Sequence, residues 1–217
     1  MRYAERFLSR IDKQRAAEFL SIIFAPQIVS FISFLFISLY LEQSIKMKII
    51  SAFTTISFTS IFPSMFVYYL LYKGKIDHPF VPERERRTIP YFFAVLSAFV
   101  GFLILLYFKS HWLILASQWC YVSNTFLILL INSRWKISAH SAGLSGPLSV
   151  LAWIFGYKAM PLFLLIPLVG WSRLYLRAHS FWQVVGGRGF GYCFNFCSNL
   201  SFLKDIWINS NGRRNRG

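Results

Sequence analysis

One polar stretch of the sequence, residues 172–183, combines side chains that could do chemistry beside a phosphate group. It reads Ser-Arg-Leu-Tyr-Leu-Arg-Ala-His-Ser-Phe-Trp-Gln, so Arg173 and Arg177 precede His179. An arginine fork binds phosphate oxygens, and a neutral imidazole can attack phosphorus or move a proton. A helix that begins near Ser180 would add backbone N–H donors at the same place. Because the stretch lies between two apolar runs, its charged groups need partners or a task.

Two further polar clusters lie upstream of this stretch. Residues 82–90 contain Arg84 and Arg87, which are three apart and would share one face of a helical turn. Both side chains could then reach one phosphate, although basic loops of this kind also orient membrane proteins. Residues 136–140 read Lys-Ile-Ser-Ala-His and place a cation, a hydroxyl and an imidazole after another apolar run. The sequence thus offers three separate sources of phosphate-binding or proton-transferring groups.

The composition indicates that these clusters are positioned by membrane helices. Hydrophobic residues make up 56% of the chain and charged residues 14%, with a mean hydropathy of +0.50, whereas soluble domains carry about 25% charged residues. Long apolar runs separated by short basic loops predict an all-α, polytopic transmembrane bundle of about six to seven helices. The net charge of +15 is explained by loops that attract anionic head groups. In the absence of a nucleic-acid motif, it does not indicate a nucleic-acid partner.

The apolar runs also predict the organisation of the chain. Residues 1–16 form a basic amphipathic segment at the membrane surface, residues 17–203 the membrane-embedded domain, and residues 204–217 a basic tail. Pro26 is predicted to kink the first span. The predicted membrane helices are 17–41, 49–72, 91–108, 112–131, 142–157, 160–176 and 181–203. Counting crossings places all three polar clusters on the side of the N-terminus, and the excess of Lys and Arg there favours the cytoplasm.

Along the chain the three clusters are residues 82–90, 136–140 and 172–183. The third cluster resembles a signature of the type-2 phosphatidic acid phosphatase superfamily, Ser-Arg-x5-His-x3-Asp. Ser172, Arg173 and His179 match this signature at the family's spacing. Gln183 departs from it, because the family usually has Asp at this position. A glutamine accepts a hydrogen bond through its carbonyl oxygen but brings no charge.

The two upstream clusters resemble the other signatures of the same family. Ser138 and His140 match the Ser and His of its Pro-Ser-Gly-His core, and Lys136 is an added cation. Arg84 and Arg87 before Pro-Tyr are similar to the arginine pair of a divergent branch, while the strict Lys-x6-Arg-Pro form is missing. The order and spacing of the three clusters, over roughly half of the chain, carry the resemblance.

The resemblance implies a lipid phosphatase in the membrane that needs no metal and no cofactor. By this resemblance, His179 is the nucleophile and forms a phosphohistidine that water hydrolyses. Arg173 holds the equatorial oxygens of the phosphoryl group, and His140 protonates the leaving oxygen. The phosphate-binding residues would be Arg84, Arg87, Lys136 and Ser138, and the supporting residues Ser172 and Gln183.

The expected substrate is a lipid phosphate or diphosphate, such as a polyprenyl diphosphate or a phosphatidic-acid-like lipid. Two other functions remain open: a lipid phosphotransferase with an alcohol acceptor, and a non-catalytic homologue that binds lipid phosphates, which Gln183 would suit. A transporter is less favoured, since the sequence has no membrane-embedded acidic relay. The sequence leaves the head group, the chain length and the oligomeric state open.

Overall fold

The computed structural model describes residues 2–79, 81 and 83–187, and of residues 2–10 it describes the backbone alone. In this part of the chain every regular element is a helix, which confirms the predicted all-α class. The elements are α1 (Arg2–Ile23), α2 (Pro26–Leu41), α3 (Ile45–Ile56), a π-helical segment (Ser57–Ile61), α4 (Phe62–Tyr72), a 3₁₀ turn (Glu85–Arg87), α5 (Thr88–Tyr107), α6 (Trp112–Asn132), α7 (Ala139–Phe155), a 3₁₀ segment (Gly156–Leu164) and α8 (Leu165–Tyr175). Residues 181–187 are also helical.

Several helical stretches are long and apolar enough to cross a membrane. Among the described residues there are four: Ile45–Tyr72, Glu85–Tyr107, Trp112–Asn132 and Ala139–Tyr175. The pair Ile11–Ile23 and Pro26–Leu41 would make a fifth. The sequence-based count of six to seven took α7 and α8 as separate helices and included 181–203, which lies mostly outside the described residues. The predicted tail, 204–217, lies wholly outside them.

The outward faces of these helices are apolar. Phe53 on α3, Phe92 on α5 and Leu103 on α5 are 70%, 61% and 47% exposed. In water the exposure of so many large apolar side chains would be unfavourable, whereas contact with lipid tails carries no such cost. The outward faces therefore suit contact with lipid.

The first span is broken at Pro26, as the sequence predicted. The axes of α1 and α2 are bent by 48° at this point. Proline has no backbone N–H and cannot donate to the carbonyl four residues before it. The Ile22 carbonyl accepts from the Ala25 N–H instead, at 3.0 Å. The helix therefore ends with a tightened turn, and α2 begins in a new direction.

The chain also reverses between α7 and α8, in the region where the sequence predicted a break. Gly156 has a φ of +57°, a left-handed conformation that glycine adopts without a steric cost. The 3₁₀ segment that follows turns the chain so that α8 packs back on α7, and Val169 joins Leu144 and Leu148 in one buried cluster. The end of α8 consequently returns to the level at which α7 begins.

The π-helical segment crosses α5 at a glycine. The Phe58 carbonyl accepts a hydrogen bond from the Ser97 hydroxyl at 2.8 Å. A β-carbon on Gly101 would lie 2.7 Å from the β-carbon of Phe58 and 2.9 Å from Nε2 of Gln118. Because neither neighbour is the loose end of an exposed side chain, α5 can approach this closely only with glycine at residue 101.

We therefore expect Gly101→Ala to lower the free energy of unfolding by about 1–3 kcal/mol, the range typical of overpacking. Thermal unfolding of the purified protein in detergent measures the change. Val100→Ala on the same helix is the control, since Val100 is 38% exposed and its truncation should stay within about 0.5 kcal/mol. Equal stability of the two variants would contradict the close crossing.

Candidate active site

The second and third sequence clusters lie side by side in the structure. The backbone N–H of Ser138 donates to the Gln183 carbonyl at 3.2 Å. A β-carbon on Gly187 would lie 2.6 Å from the Ser138 carbonyl oxygen. The helical residues 181–187 thus pack directly against the start of α7, and glycine at residue 187 permits this approach.

The imidazole of His179 is oriented by Gln183. The side-chain oxygen of Gln183 accepts a hydrogen bond from the Ser180 N–H at 3.1 Å, and the same oxygen lies 3.3 Å from Nδ1 of His179. Since the Ser180 N–H can only donate, the oxygen of the amide must face it. Nδ1 of His179 therefore carries the proton, and Nε2 keeps the lone pair that a nucleophile needs.

The surroundings of His179 keep its ring neutral. Burial, reinforced by the positive charges of Arg173, Arg87 and Lys136, lowers the pKa of His179 to about 3. The hydrogen bond to Gln183 opposes this shift but is the weakest of these influences. The imidazole therefore remains neutral until the pH approaches 3.

His140 and Arg173 are both held by Ser21, near the end of α1. Nε2 of His140 lies 3.1 Å from the Ser21 carbonyl oxygen, and Nη1 of Arg173 donates to the Ser21 hydroxyl. His140 and Arg173 are 6% and 7% exposed. Nε of Arg173 is buried and has no hydrogen-bond partner among the described residues. A buried guanidinium N–H without a partner is costly, so this group is available to an anionic ligand.

Of the two arginines in the first cluster, the structure brings Arg87 to the site. Arg87 is 7% exposed, and its Nε donates to the Val81 carbonyl at 2.7 Å. The Arg84 side chain instead pairs with Glu85, with Nε 3.1 Å from the carboxylate oxygen. The charge of Arg84 is thus partly neutralised by its sequence neighbour.

The remaining predicted residues lie around this centre in different roles. Ser138 is the N-cap of α7, and its oxygen accepts from the Ser141 hydroxyl at 3.1 Å. The Ser172 hydroxyl donates to the Val169 carbonyl at 2.9 Å, within α8. Both serines therefore stabilise helix ends. Lys136 lies within electrostatic range of Arg87 and Arg173, and burial together with these two charges lowers its pKa.

A cavity begins at this cluster and continues between the helices. Its volume is about 190 Å³, and the wall at the polar end includes Arg87, Arg173, His140 and His179. Along α6 the lining runs from Ser117 to Ile128, a length of helix that extends about 16 Å. This is about half of the 30 Å hydrocarbon thickness of a bilayer, or the depth of one leaflet.

The wall of the deeper cavity is mainly apolar. It is formed by residues of α2, α4, α5, α6 and α7, among them Phe34, Ile37, Val67, Ala94, Cys120, Val150 and Leu151. Polar atoms are interspersed, and Oδ1 of Asn124 is buried without a hydrogen-bond partner in the described part of the chain. The arrangement joins a cationic, histidine-bearing end to a narrow and largely apolar interior.

The chemistry that this arrangement offers is anion binding beside two imidazoles. Three cations, those of Arg87, Lys136 and Arg173, lie within electrostatic range of His179. Within the described ranges, no three side chains of the His, Cys, Asp or Glu type are grouped as metal ligands. A phosphate would satisfy Arg173 and reduce the repulsion among the cations.

Two features of the site went unrecognised in the sequence. Ser21 was not singled out, although Pro26 lies five residues later and frees carbonyl groups at the end of α1. The second is the capping box of Ser180 and Gln183, which are spaced as Ser-x-x-Gln. This spacing predicts that the glutamine side chain turns back toward the serine N–H, beside His179.

We expect His179 to stay neutral in the unliganded protein as the pH is lowered from about 8 to 5, because its pKa is about 3. Lys136→Met should raise this pKa, since the substitution removes one of three neighbouring positive charges. Side-chain NMR titration of histidine-labelled protein measures both, and His179→Gln identifies the signal. Because the unfolded chain binds this proton near pH 6.5, the contribution of His179 to stability is present above pH 6.5 and is lost as the pH falls.

The matched control for this titration is Lys158→Met. Lys158 lies in the 3₁₀ segment between α7 and α8, at the opposite end of those helices, and its substitution should leave the His179 signal unchanged. A His179 signal in the wild-type protein that titrates near 6.5 would refute the electrostatic description of the site.

Comparison of the chain with protein-family models, with curated proteins and with solved structures finds no match. The resemblance given above therefore rests on the three sequence clusters alone. What the protein does must be inferred from the geometry and the charges of the site.

Proposed function

We propose that the protein is an integral membrane phosphatase that hydrolyses a lipid phosphate or diphosphate through a phosphohistidine, as a divergent member of the type-2 phosphatidic acid phosphatase superfamily. The observation that supports this most strongly is the cavity that joins His140, His179, Arg87 and Arg173 to an apolar interior. A phosphate head group matches the cationic end, and one hydrocarbon chain matches the interior.

In the proposed reaction, the lone pair on Nε2 of His179 attacks phosphorus, and the bond from phosphorus to the leaving oxygen breaks. Arg173 and Arg87 bind the equatorial oxygens, on which negative charge accumulates in phosphoryl transfer. Protonated His140 gives its proton to the leaving oxygen. Water then attacks the phosphohistidine and transfers a proton to His140, so that phosphate and neutral His179 are released.

The proposal includes the number of membrane helices and the side of the membrane on which the site lies. Six to seven membrane helices result if α7 and α8 are two short helices and 181–203 is another. The three clusters then share one side of the membrane with the N-terminus, and the distribution of Lys and Arg favours the cytoplasmic side. Membrane lipids are the expected surroundings, and the lipid tail would lie in the cavity at the depth of one leaflet.

We expect the purified protein in detergent to release phosphate from at least one lipid of a panel, with EDTA present. The panel comprises a polyprenyl diphosphate, a polyprenyl monophosphate, phosphatidic acid and phosphatidylglycerol phosphate. His179→Ala should reduce the rate at least about 1,000-fold, since loss of a nucleophile removes the covalent route. Phosphate release by a colorimetric assay measures the rate.

The matched control is His78→Ala, a histidine in the loop between α4 and α5 that lies outside the three clusters. It should keep the wild-type rate. Lipid binding without release at every pH from about 5 to 9 would contradict the phosphatase and favour the non-catalytic homologue. Transfer of the phosphoryl group to an added alcohol, in place of water, would favour the phosphotransferase.

A second expectation concerns the neutral residue that orients His179. Gln183→Glu keeps an oxygen acceptor for Ser180 and His179 and adds a negative charge, so it should raise the pKa of His179 and increase kcat by stabilising the cationic phosphohistidine. Gln183→Met, which has similar length and no acceptor, should lower kcat at least about tenfold. Steady-state kinetics on the best substrate measures both, and equal kcat values for the two variants would contradict the role of Gln183.

A further inference from the structure

The break in the first span releases a backbone carbonyl that a straight helix would use internally. In an unbroken helix the Ser21 carbonyl accepts from the N–H of residue 25. Here the Ala25 N–H donates to the Ile22 carbonyl, because Pro26 has no N–H with which to serve that carbonyl. The Ser21 carbonyl is thereby left for a partner outside its own helix.

That partner is His140. Nε2 of His140 lies 3.1 Å from the Ser21 carbonyl oxygen. A carbonyl oxygen can only accept, so Nε2 must carry a proton. Proton exchange between His140 and a substrate then falls to Nδ1. A backbone carbonyl that fixes one ring nitrogen in this way sets the tautomer and the orientation of a histidine.

The contact between α1 and α7 depends on the close packing of α7 against the helix break at Pro26. A β-carbon on Gly143 would lie 3.1 Å from the β-carbon of Pro26, so the absence of a side chain at residue 143 lets α7 lie close against the break. His140 precedes Gly143 by three residues and therefore lies on the same face of α7. The same proline that frees the carbonyl thus also packs beside the helix that uses it.

The side chain of Ser21 makes a second contact, to α8. Its hydroxyl accepts from Nη1 of Arg173, which is 7% exposed. With Nη1 engaged, the unpartnered Nε of Arg173 remains for a ligand. One residue of α1 therefore contacts a histidine from α7 and an arginine from α8, both of which line the cavity.

We propose that Ser21 is a positioning residue of the active site, and that the helix break at Pro26 makes its carbonyl available to His140. Its carbonyl holds His140 in the Nε2–H tautomer, and its hydroxyl holds Arg173 with one N–H toward the phosphate. This inference deepens the proposed function and rests on it for the identity of the ligand. The tautomer of His140 and the anchoring of Arg173 can be measured without turnover.

The tautomer is tested by ¹⁵N NMR of histidine-labelled protein in detergent, with His140→Gln identifying the signal. We expect Nε2 of neutral His140 to be protonated in the wild type. Pro26→Ala restores an N–H for the Ile22 carbonyl, so the Ala25 N–H can return to the Ser21 carbonyl and the Nε2–H preference should weaken. Pro161→Ala, in the 3₁₀ segment, is the control and should change nothing. A wild-type His140 protonated at Nδ1 would overturn the inference.

The hydroxyl is tested separately by binding of inorganic phosphate, measured by calorimetry. Ser21→Ala should weaken binding about 10- to 100-fold, the range expected for one hydrogen bond to a charged group, whereas Ser21→Thr keeps a hydroxyl and should restore it. Ser38→Ala is the matched control, because Ser38 is a buried serine of α2 whose hydroxyl has no partner among the described residues. Equal phosphate affinity of wild type and Ser21→Ala would overturn the anchoring of Arg173.

These readouts separate the two proposals. If the wild type binds phosphate and shows the Nε2–H tautomer but hydrolyses no lipid, the phosphatase proposal fails and the positioning role of Ser21 stands. If the wild type hydrolyses lipid phosphates while Ser21→Ala and Ser21→Thr have equal KM and kcat, the positioning role fails and the phosphatase stands.

Discussion

The structure concentrates positive charge at one end of an apolar bundle, and this concentration constrains the rest of the site. Arg87, Lys136 and Arg173 lie within electrostatic range of one histidine. Like charges that are partly removed from water repel one another and are costly to bury. Two acidic groups, Glu83 and Glu85, act electrostatically on Lys136, and Glu85 is already paired with Arg84. The arrangement is therefore most stable with an anion among the cations.

The two imidazoles of the site and the guanidinium of Arg173 are held by hydrogen bonds at helix ends. Ser21 lies where α1 ends, the Ser138 oxygen caps α7, and Gln183 turns back to the N–H of Ser180. Helix ends expose backbone donors and acceptors that need partners, and the described site uses them to orient imidazoles and a guanidinium. Irregular backbone at membrane depth is tolerated where it lines a cavity, and Pro26 lines the cavity of this site.

Much of the fold was predictable because hydrophobic runs, prolines and glycines are local signals. The helices, the kink at Pro26 and the turn after Gly156 all follow from such signals. The partners of individual side chains were not predictable in the same way. The spacing gave no reason to prefer Arg84 or Arg87. In the structure Arg87 lines the cavity, whereas the Arg84 side chain pairs with Glu85. Ser21 is separated from His140 by more than a hundred residues, and only tertiary packing brings them together.

The neutral glutamine beside His179 is consistent with the charges around it. An aspartate at this position would raise the pKa of His179 and stabilise the positive charge that the ring gains on attacking phosphorus. With Gln183 the neutral form is maintained by burial and by three cations. A bound phosphate would then bring its own negative charge, offset those cations and stabilise the positive charge that develops on His179 during attack. In the proposed mechanism, the substrate therefore supplies part of the electrostatic stabilisation that a carboxylate would otherwise give.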